Sequence, residues 1–566
     1  MFEGAQNILI NGTSSFFNVY AGSSTEGTER LLDKVAPNAI LNAGGRADEV
    51  RCYPGTREEV IGKMEKWMDG EGSRRTRMMW LSGPAGAGKS AIFQTVAERC
   101  RQRGLHAANF FFFRGDTTRN HAQPLVATLV YQLFDLYPAL REIIAECLTT
   151  TPLILSASID EQFKQLVSSS FQRIRQSSSI TQSIILIIDG LDECDDKRKQ
   201  EQVLVVLHAL IKEEKSPFIV LVASRAEPHL VMSFNKLGAS VTPIFRDEEY
   251  RPQDDIRHFV VSKFGMIKGT HHLAHALSED WPAEEDIDAI TDKSSGQFIY
   301  AATVMRFIQF SSSSPAHSLL IIRGMRPPPA NHSPFAQLDA LYSYIFSMAN
   351  DIRAVILCLG AHFIIQSELS DKITMGKMML TALLRDMAMI EIESSFADLV
   401  AIVKVAGVQP IQLVFYHASL SDYLKDQSRS GIYYVDEGEI AAQLSTIGLS
   451  NLSDPDSLNF PLWALGYVKI ATTELSKSLL AASELRFNEG YGGMLHWNRL
   501  ILTFERLYLE SEPEFFKLLL RRWIRFTYMN NIDIRWDLGG LSPSATRYYK
   551  RYRAIERIQC AVGLNN

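Results

Sequence analysis

One eight-residue stretch, Gly83–Ser90, constrains this chain more than any other. It satisfies the phosphate-loop pattern G-x-x-x-x-G-K-S, after the apolar run Met78–Leu81 and before a helix-compatible run. Glycines permit a tight turn whose N–H groups point into a concave anion site at a helix N-terminus. Lys89 is expected to reach the β- and γ-phosphates of a nucleotide, and the Ser90 hydroxyl to ligate Mg²⁺. The residues predicted to bind nucleotide here are Gly83, Pro84, Ala85, Gly86, Ala87, Gly88, Lys89, Ser90 and Ala91.

The composition is that of a globular protein, with 46% hydrophobic and 22% charged residues. A length of 566 residues predicts roughly three or four domains. The net charge of -6 gives no global attraction to nucleic acid, which is therefore not an expected partner. The six cysteines form no C-x-x-C pair, which argues against a zinc site or a disulfide framework.

The N-terminus lacks a basic region followed by a hydrophobic core, so no signal peptide is predicted. The longest apolar stretch elsewhere, Ala354–Ile365, is too short to cross a bilayer. We therefore expect no membrane span and a cytoplasmic location.

Apolar runs in the first half of the chain have the length and continuity of buried parallel strands: Ala107–Phe113, Ile184–Ile188 and Phe218–Ala223. Helical candidates lie between them, at Leu125–Tyr137, Glu161–Gln176 and Glu201–Glu213. This alternation predicts an α/β fold with a doubly wound, mostly parallel sheet.

Residues 1–50 are rich in Gly, Ser and Asn and show little helical period. An Asn-Gly turn signal inside Asn7–Tyr20 predicts a weak hairpin. Two interpretations remain open for this extension: a flexible tail, or a β-prone signalling segment that pairs with another copy. Beyond about residue 254 the pattern becomes mostly helical.

The run Ile184–Glu193 predicts the second half of the site. A buried strand would deliver Asp189 at its C-terminal end, where it would hold Mg²⁺ through water. Hydrolysis also requires a carboxylate that orients and deprotonates water, for which Glu193 is the first candidate and Asp192 the second. The alternative is that Asp192, Glu193, Asp195 and Asp196 form only an acidic loop that caps the next helix.

Arg225 follows the next predicted strand. A guanidinium at that place can lie beside the γ-phosphate and bind its oxygens bidentately. A surface arginine in a turn is the competing interpretation.

Taken together, these residues resemble the NACHT NTPases of the signal-transducing STAND class, in the form common among fungal NOD-like receptors and nephrocystin-like N-terminal domains. The resemblance covers about residues 50–435. The segments that carry it, besides the phosphate loop, are Cys52–Glu58, Arg114–Asp116, Asp189–Glu193, Ser224–Pro228 and Gly296–Ala302.

The resemblance implies further nucleotide-binding residues and a domain division. Gly55, Thr56 and Arg57 would lie on the adenine side, and His417 of a winged-helix module would contact the β-phosphate of ADP. The implied domains are an N-terminal extension (1–50), a NACHT P-loop NTPase domain (51–253), a helical domain (254–345), a winged-helix-like domain (346–440) and a C-terminal helical region (441–566).

The function implied is an ATP/ADP switch that self-associates in one nucleotide state and hydrolyses slowly. Lys89, Asp192, Glu193 and Arg225 would serve hydrolysis, with Mg²⁺ on Ser90 and Asp189. The residues do not distinguish ATP from GTP, and they do not identify the effector or ligand protein. A small-molecule or nucleotide kinase and a nucleotide-stabilised scaffold remain as alternatives.

Overall fold

The computed structural model describes residues 26–42, 51–70, 76–177, 180, 182–245, 252–325, 335–366, 394–406, 412–452, 458–487, 497–530 and 541–561. These residues fall into two compact units. The first unit takes those up to Tyr342, together with Val400–Lys404 and Phe415–Ser421, and the second takes the others. The predicted hairpin in Asn7–Tyr20 lies outside the described residues.

A five-stranded parallel sheet forms the centre of the first unit, with the strand order β2-β3-β4-β1-β5. The strands are β1 (Met78–Ser82), β2 (Ala107–Phe111), β3 (Ile184–Asp189), β4 (Phe218–Ser224) and β5 (Val241–Phe245). Every residue of β1, β3 and β4 is buried, as expected when helices cover both faces of a parallel sheet. The chain thus has the predicted doubly wound α/β P-loop NTPase fold, followed by helical regions.

Two separate apolar clusters lie on the two faces of this sheet. Leu186 and Val220 belong to one cluster, and their neighbours Ile187 and Leu221 belong to the other. Successive side chains of a strand point to opposite faces, so continuous apolar runs were needed to build both clusters. This explains why the strands were recognisable in the sequence.

The register aligns the carboxyl ends of three strands. Trp80 of β1 pairs with Val222 of β4, and Val222 pairs with Ile188 of β3. Because β4 lies between β1 and β3, the loops that follow these three strands gather at one edge of the sheet, where open α/β sheets bind ligands.

Among the described residues, fourteen α-helices lie between Glu26 and Ser347. They are α1 (Glu26–Leu32), α2 (Glu58–Met68), α3 (Lys89–Gln102), α4 (Leu125–Leu133), α5 (Ala139–Thr150), α6 (Ile159–Gln162), α7 (Ser170–Ser177), α8 (Lys197–Lys212), α9 (Pro228–Leu237), α10 (Pro252–Thr270), α11 (Glu284–Lys293), α12 (Phe298–Phe310), α13 (Pro315–Gly324) and α14 (Ala336–Ser347).

Several predictions differ from the structure. The predicted helix Leu125–Tyr137 ends at Leu133. Pro138 disfavours helical backbone at Tyr137, so this helix does not run on into Ala139–Thr150. A π-helical segment, Phe163–Ser169, divides the predicted helix Glu161–Gln176. Residues 26–42, in the stretch with little helical period, contain α1, which packs against α5.

Strand β5 is not predicted by the sequence pattern. Pro243 stands in the middle of this strand and pairs with Trp80. Proline cannot donate to a strand ladder, so it argues against a central strand. In the sheet β5 is the last strand of the order, where one of its sides needs no ladder partner.

The second unit is mainly helical. Its helices include Ile352–Gln366, Glu437–Ser450, Asn459–Leu465, Thr473–Ala482, Trp497–Phe504, Pro513–Met529 and Pro543–Ala561. A two-stranded sheet of Val403–Ala406 and Gln412–Phe415, with residues assigned to both units, lies in the stretch expected to be winged-helix-like. The winged-helix assignment and the domain boundaries stay predictions.

One structural finding bears on membrane insertion. Within the described ranges, no single helix is long and apolar enough to cross a bilayer. Ala336–Ser347 and Ile352–Ile365 meet the length and composition only as a pair, bent by 120°.

Candidate nucleotide site

The phosphate loop joins β1 to α3. Gly86 and Gly88 adopt φ angles of 74° and 83°, in the left-handed region that favours glycine. Gly88 immediately precedes the first helical residue, Lys89, so the loop ends at the N-terminus of α3. A Cβ at Gly86 would collide with the Ile299 side chain. Backbone conformation and close packing therefore both require glycine at this position.

The Lys89 side chain folds back over its own loop. Its Nζ donates to the carbonyl oxygens of Gly83 at 2.8 Å and Pro84 at 3.0 Å. Burial lowers the pKa of Lys89, although the charge of Asp192 opposes this effect. Arg225 also acts on this ammonium, so the three loops are assembled around one point. An incoming phosphate would replace the two carbonyl acceptors.

Ser90 and Asp189 provide the oxygen ligands predicted for Mg²⁺. Ser90 is exposed in the first turn of α3, whereas Asp189 is 2% exposed at the carboxyl end of β3. A hydroxyl and a carboxylate suit a small hard cation that keeps waters and phosphate oxygens as its other ligands. The donor set therefore fits Mg²⁺ bound together with a nucleotide.

Gly190 turns the chain from β3 into the acidic loop. Its φ is 67°, and a Cβ would lie 3.1 Å from the carbonyl oxygen of Phe112. This residue is therefore restricted to glycine by its conformation and by the neighbouring backbone. A short 3₁₀ turn, Leu191–Glu193, follows directly.

The two acidic candidates, Asp192 and Glu193, have different partners. Asp192 is 3% exposed, and its Oδ1 accepts from the backbone N–H of Arg225 at 2.9 Å. Its Oδ2 pairs with Nε of the same arginine at 3.1 Å. Asp192 thus fixes the residue that follows β4, and its carboxylate is committed to that task.

Glu193 is half-buried and accepts from the backbone N–H of Arg114 at 3.0 Å. Desolvation, helped by the charge of Asp192, raises the pKa of Glu193 to about 7. A carboxylate with a pKa near neutrality is a stronger base than an ordinary one and remains partly ionised at neutral pH. Glu193 therefore fits the role of general base better than Asp192 does.

The alternative interpretation, an acidic loop that caps the next helix, holds for Asp196 but not for Asp192 or Glu193. Asp196 is the N-cap of α8, and its side chain accepts from the N–H groups of Arg198 and Lys199. Asp192 and Glu193 are instead directed to Arg225 and Arg114.

The residues predicted for the adenine side form a tight turn before α2. Gly55 has a φ of 80°, and a Cβ there would lie 3.3 Å from the His258 ring. Thr56 is 1% exposed and its hydroxyl donates to the Tyr53 carbonyl at 2.7 Å. The Thr56 hydroxyl is therefore used inside the turn.

Arg57 is 4% exposed, with an unusual φ of 62°. Its guanidinium lies over the Phe298 ring at 4.5 Å and pairs with Asp255 at 3.4 Å. Among the described residues, its three side-chain nitrogens have no hydrogen-bond partner, and burial lowers the pKa of the group. A buried guanidinium with unused donors is suited to an acceptor-rich ligand.

The N-terminus of α12 connects the two ends of this site. Phe298 contacts Arg57, and the next residue, Ile299, packs against Gly86 of the phosphate loop. Gly296–Ala302 carries part of the family resemblance, but the sequence alone predicts no role for these residues. The close approach at Gly86 is visible only once the helix is in place.

His417 belongs to the stretch of the first unit formed by Phe415–Ser421. The backbone N–H of Ser419 donates to its Nδ1 at 3.0 Å, which puts the proton of a neutral ring on Nε2. The neighbouring Tyr416 ring lies 4.4 Å from the guanidinium of Arg306, which also donates to the Ala401 carbonyl. His417 is thus oriented within an anchored segment, and its contact with a nucleotide stays a prediction.

A pocket of about 590 Å³ opens beside the phosphate loop. Its lining comes from the ends of β1 and β4 and the residues that follow them: Ser82, Gly83, Pro84, Arg225, Ala226, Glu227 and Pro228. Basic and acidic side chains meet there next to the loop. Within the described residues, no cluster of three or more His, Cys, Asp or Glu side chains could hold a metal ion by itself.

Comparison with known proteins identifies the class of this region. Residues 55–225 match the family model NPHP3_N, described as "Nephrocystin 3, N-terminal". A comparison with curated proteins finds no match. The matched residues include the phosphate loop, the acidic loop and Arg225, so they form a P-loop NTPase domain similar to that family.

Solved structures similar to this chain include Drosophila ORC bound to DNA, at 11% identity and a TM-score of 0.25, over 98% of this chain and 80% of that one. Another is Drosophila ORC bound to poly(dA/dT) DNA and Cdc6, at 11% identity and a TM-score of 0.24, over 98% and 77%. At these scores the likeness carries no argument about this chain.

Proposed function

We propose that this chain is an ATP/ADP switch of the NACHT type within the STAND class, like the fungal NOD-like receptors and nephrocystin-like proteins that its motifs resemble. ATP binding would favour self-association, and slow hydrolysis would return the protein to its ADP form. The protein would act in the cytoplasm with an effector or ligand protein. The observation that carries the proposal is the meeting of the phosphate loop, Asp189 and the acidic loop at one edge of the sheet.

Nucleotide binding would use groups that are already oriented. The N–H groups at the start of α3 and the Lys89 ammonium would bind phosphate oxygens. The residues Gly55–Arg57 and Phe298 would border the base. ATP is the proposed nucleotide, with GTP as the competitor in the binding test. Mg²⁺, when bound by Ser90 and Asp189, would neutralise phosphate charge.

Hydrolysis would be a direct attack of water on the γ-phosphorus. Glu193 would take a proton from the water while the water oxygen forms a new bond to the γ-phosphorus. The bond between the γ-phosphorus and the β–γ bridging oxygen would break at the same time. ADP leaves with the electron pair of that bond. Lys89 and Arg225 would stabilise negative charge on the phosphates, since cations placed where charge develops lower the barrier.

A switch requires that the two forms bind ATP and ADP with different affinities. A reversal of a conformational equilibrium from about 1:99 to 99:1 needs roughly 5.5 kcal/mol of differential binding. Two contacts support such a difference. Arg225 is tied to Asp192 beside the expected γ-phosphate, and α12 contacts both Arg57 and the phosphate loop.

The test is size-exclusion light scattering of purified protein with ADP, ATP and a non-hydrolysable ATP analogue. We expect the smallest species with ADP and larger ones with the analogue. Glu193→Gln should accumulate the larger species with ATP itself, because it binds but does not hydrolyse. Lys89→Ala should respond to none of the nucleotides.

Identical size distributions for the wild type and both variants in every nucleotide would contradict the switch. Phosphate release measured in the same samples separates hydrolysis from assembly. If the protein hydrolysed ATP but its size distribution did not change with nucleotide, it would be an NTPase and the switch proposal would be wrong.

A further inference from the structure

Gln200 of α8 is a buried polar residue to which the sequence analysis gave no role. It is 2% exposed, and both ends of its amide are occupied. Nε2 donates to the backbone carbonyl of Cys194 at 2.7 Å and lies 3.4 Å from that of Asp192. These two carbonyls flank Glu193 in the chain. One side chain therefore holds the backbone on both sides of the proposed base.

The orientation of this amide follows from its partners. Carbonyl oxygens only accept hydrogen bonds, so the NH₂ group of Gln200 must face them and Oε1 must face the other way. Oε1 lies 2.6 Å from Nε2 of His229. Because a glutamine oxygen also only accepts, His229 must carry a proton on Nε2 and donate it to Gln200.

His229 leads from this contact to the pocket beside the phosphate loop. It is the second residue of α9, and its Nδ1 lies 3.6 Å from a carboxylate oxygen of Glu227. Glu227 and Arg225 both line the pocket. Hydrogen bonds thus connect the acidic loop to Gln200 and Gln200 to His229, which lies beside Glu227 of the pocket wall.

We propose that Gln200, oriented by His229, is a positioning residue for the hydrolytic reaction. It acts through the backbone of Asp192–Cys194 and sets where the Glu193 carboxylate stands relative to the γ-phosphate. The inference rests on the proposed hydrolysis by Glu193. It assigns no contact between Gln200 and nucleotide.

Asp192 and Gln200 provide two of the contacts that hold the loop, besides the hydrogen bond from the Arg114 N–H to Glu193. Asp192 anchors it to Arg225 through the side chain, and Gln200 anchors it to α8 through the backbone. Removal of the Gln200 contact leaves the carbonyls of Asp192 and Cys194 without this donor, and the loop can shift. A misplacement of about 1 Å at a catalytic group can reduce a rate by up to roughly a hundredfold.

The experiment compares Gln200→Met, His229→Phe and the matched control Gln202→Met in the full chain. Gln200→Met keeps the length of the side chain and removes the amide, whereas His229→Phe keeps a ring and removes its donor. Gln202 is a half-buried glutamine of the same helix whose contacts are with Lys199 and Asp160. Its substitution should leave hydrolysis unchanged.

We expect kcat for ATP to fall about tenfold in Gln200→Met and less in His229→Phe, consistent with a modest displacement of the base. The dissociation constant of a non-hydrolysable ATP analogue should stay within about twofold of the wild type. Unchanged kcat in Gln200→Met would overturn the proposal. So would a loss of affinity and thermal stability that parallels the loss of kcat, because it would indicate a general structural role.

A second measurement does not depend on hydrolysis. Hydrogen exchange of the nucleotide-free protein reports the amides of Arg114 and Arg225, which donate to Glu193 and Asp192. Peptides that contain them should exchange faster in Gln200→Met and at the wild-type rate in Gln202→Met. Equal exchange in both variants would overturn the positioning role. If the wild type hydrolyses nothing while this exchange pattern holds, the proposed function fails and the structural link survives.

Discussion

The phosphate loop and the acidic loop differ in how far along the chain their contacts reach. Lys89 bonds to a carbonyl only six residues away. Asp192 and Glu193 bond to backbone groups 33 and 79 residues away. The first loop is thus determined mainly by its own residues. The second acquires its properties from strands and helices that are distant in sequence, and only the fold distinguishes its two carboxylates.

The largest effect should come from the loop with local contacts. Lys89→Ala should weaken MgATP binding at least about a hundredfold, since it removes the ammonium expected to reach the β- and γ-phosphates. A ligand raises stability by RT ln(1 + [L]/Kd), so thermal unfolding with and without MgATP measures the change. Lys66→Ala, at an exposed position of α2, is the control. MgATP should raise its unfolding temperature as much as that of the wild type. If MgATP raised the unfolding temperature of Lys89→Ala as much as that of the wild type, the role assigned to Lys89 in the phosphate loop would be wrong.

The two carboxylates of the acidic loop should respond differently to loss of charge. Glu193→Gln should lower kcat about a hundredfold with nucleotide affinity retained, because a general base contributes roughly 10²–10⁴-fold. Asp192→Asn should lower thermal stability as well, because the buried partner of Arg225 loses its charge. Steady-state kinetics and thermal unfolding of both variants separate the two roles. Interchanged results would reverse our assignment of the base.

The difference between local and long-range contacts also explains which features of the fold and the site could be predicted from the sequence. The strands and the phosphate loop were predictable because apolar runs and glycine spacing are local signals. Strand β5 was missed because Pro243 hides an edge strand. The roles of Asp192 and Glu193 stayed open, since they depend on Arg225 and Arg114, and Gln200 carries no motif at all.

The pH dependence of the unfolding free energy should report the raised pKa of Glu193. Its raised pKa means that the folded protein holds this proton more tightly than the unfolded chain does. The resulting stabilisation is present below the unfolded pKa and is lost as the pH rises through about 7. Between pH 5 and 8, nucleotide-free wild type should lose about 1–3 kcal/mol of unfolding free energy relative to Glu193→Gln. Urea unfolding checks this.

Hydrolysis should follow the opposite trend, since only the ionised Glu193 can accept a proton. The rate should therefore rise with pH through the neutral range while stability falls. A rate that does not change with pH, together with parallel stability curves for wild type and Glu193→Gln, would indicate an ordinary exposed carboxylate.

The smallest effect should come from the turn that starts the acidic loop. Gly190→Ala forces a side chain into a left-handed conformation, 3.1 Å from the Phe112 carbonyl. Gly104→Ala is the matched control, because its φ of 66° is close to that of Gly190 but a Cβ there meets nothing within 4 Å. Both should lose about 1 kcal/mol from backbone strain, and Gly190→Ala about 1 kcal/mol more from crowding. Equal losses in denaturant unfolding would show that the loop accommodates the methyl group.

Calorimetric titration of the intact wild-type protein with MgATP tests the central claim most directly. We predict saturable heat with one nucleotide bound per chain, stronger with Mg²⁺ than without it, and weaker with GTP. Absence of binding heat from either triphosphate in a folded preparation would contradict the account, since every role assigned to the acidic loop presumes a nucleotide on the phosphate loop.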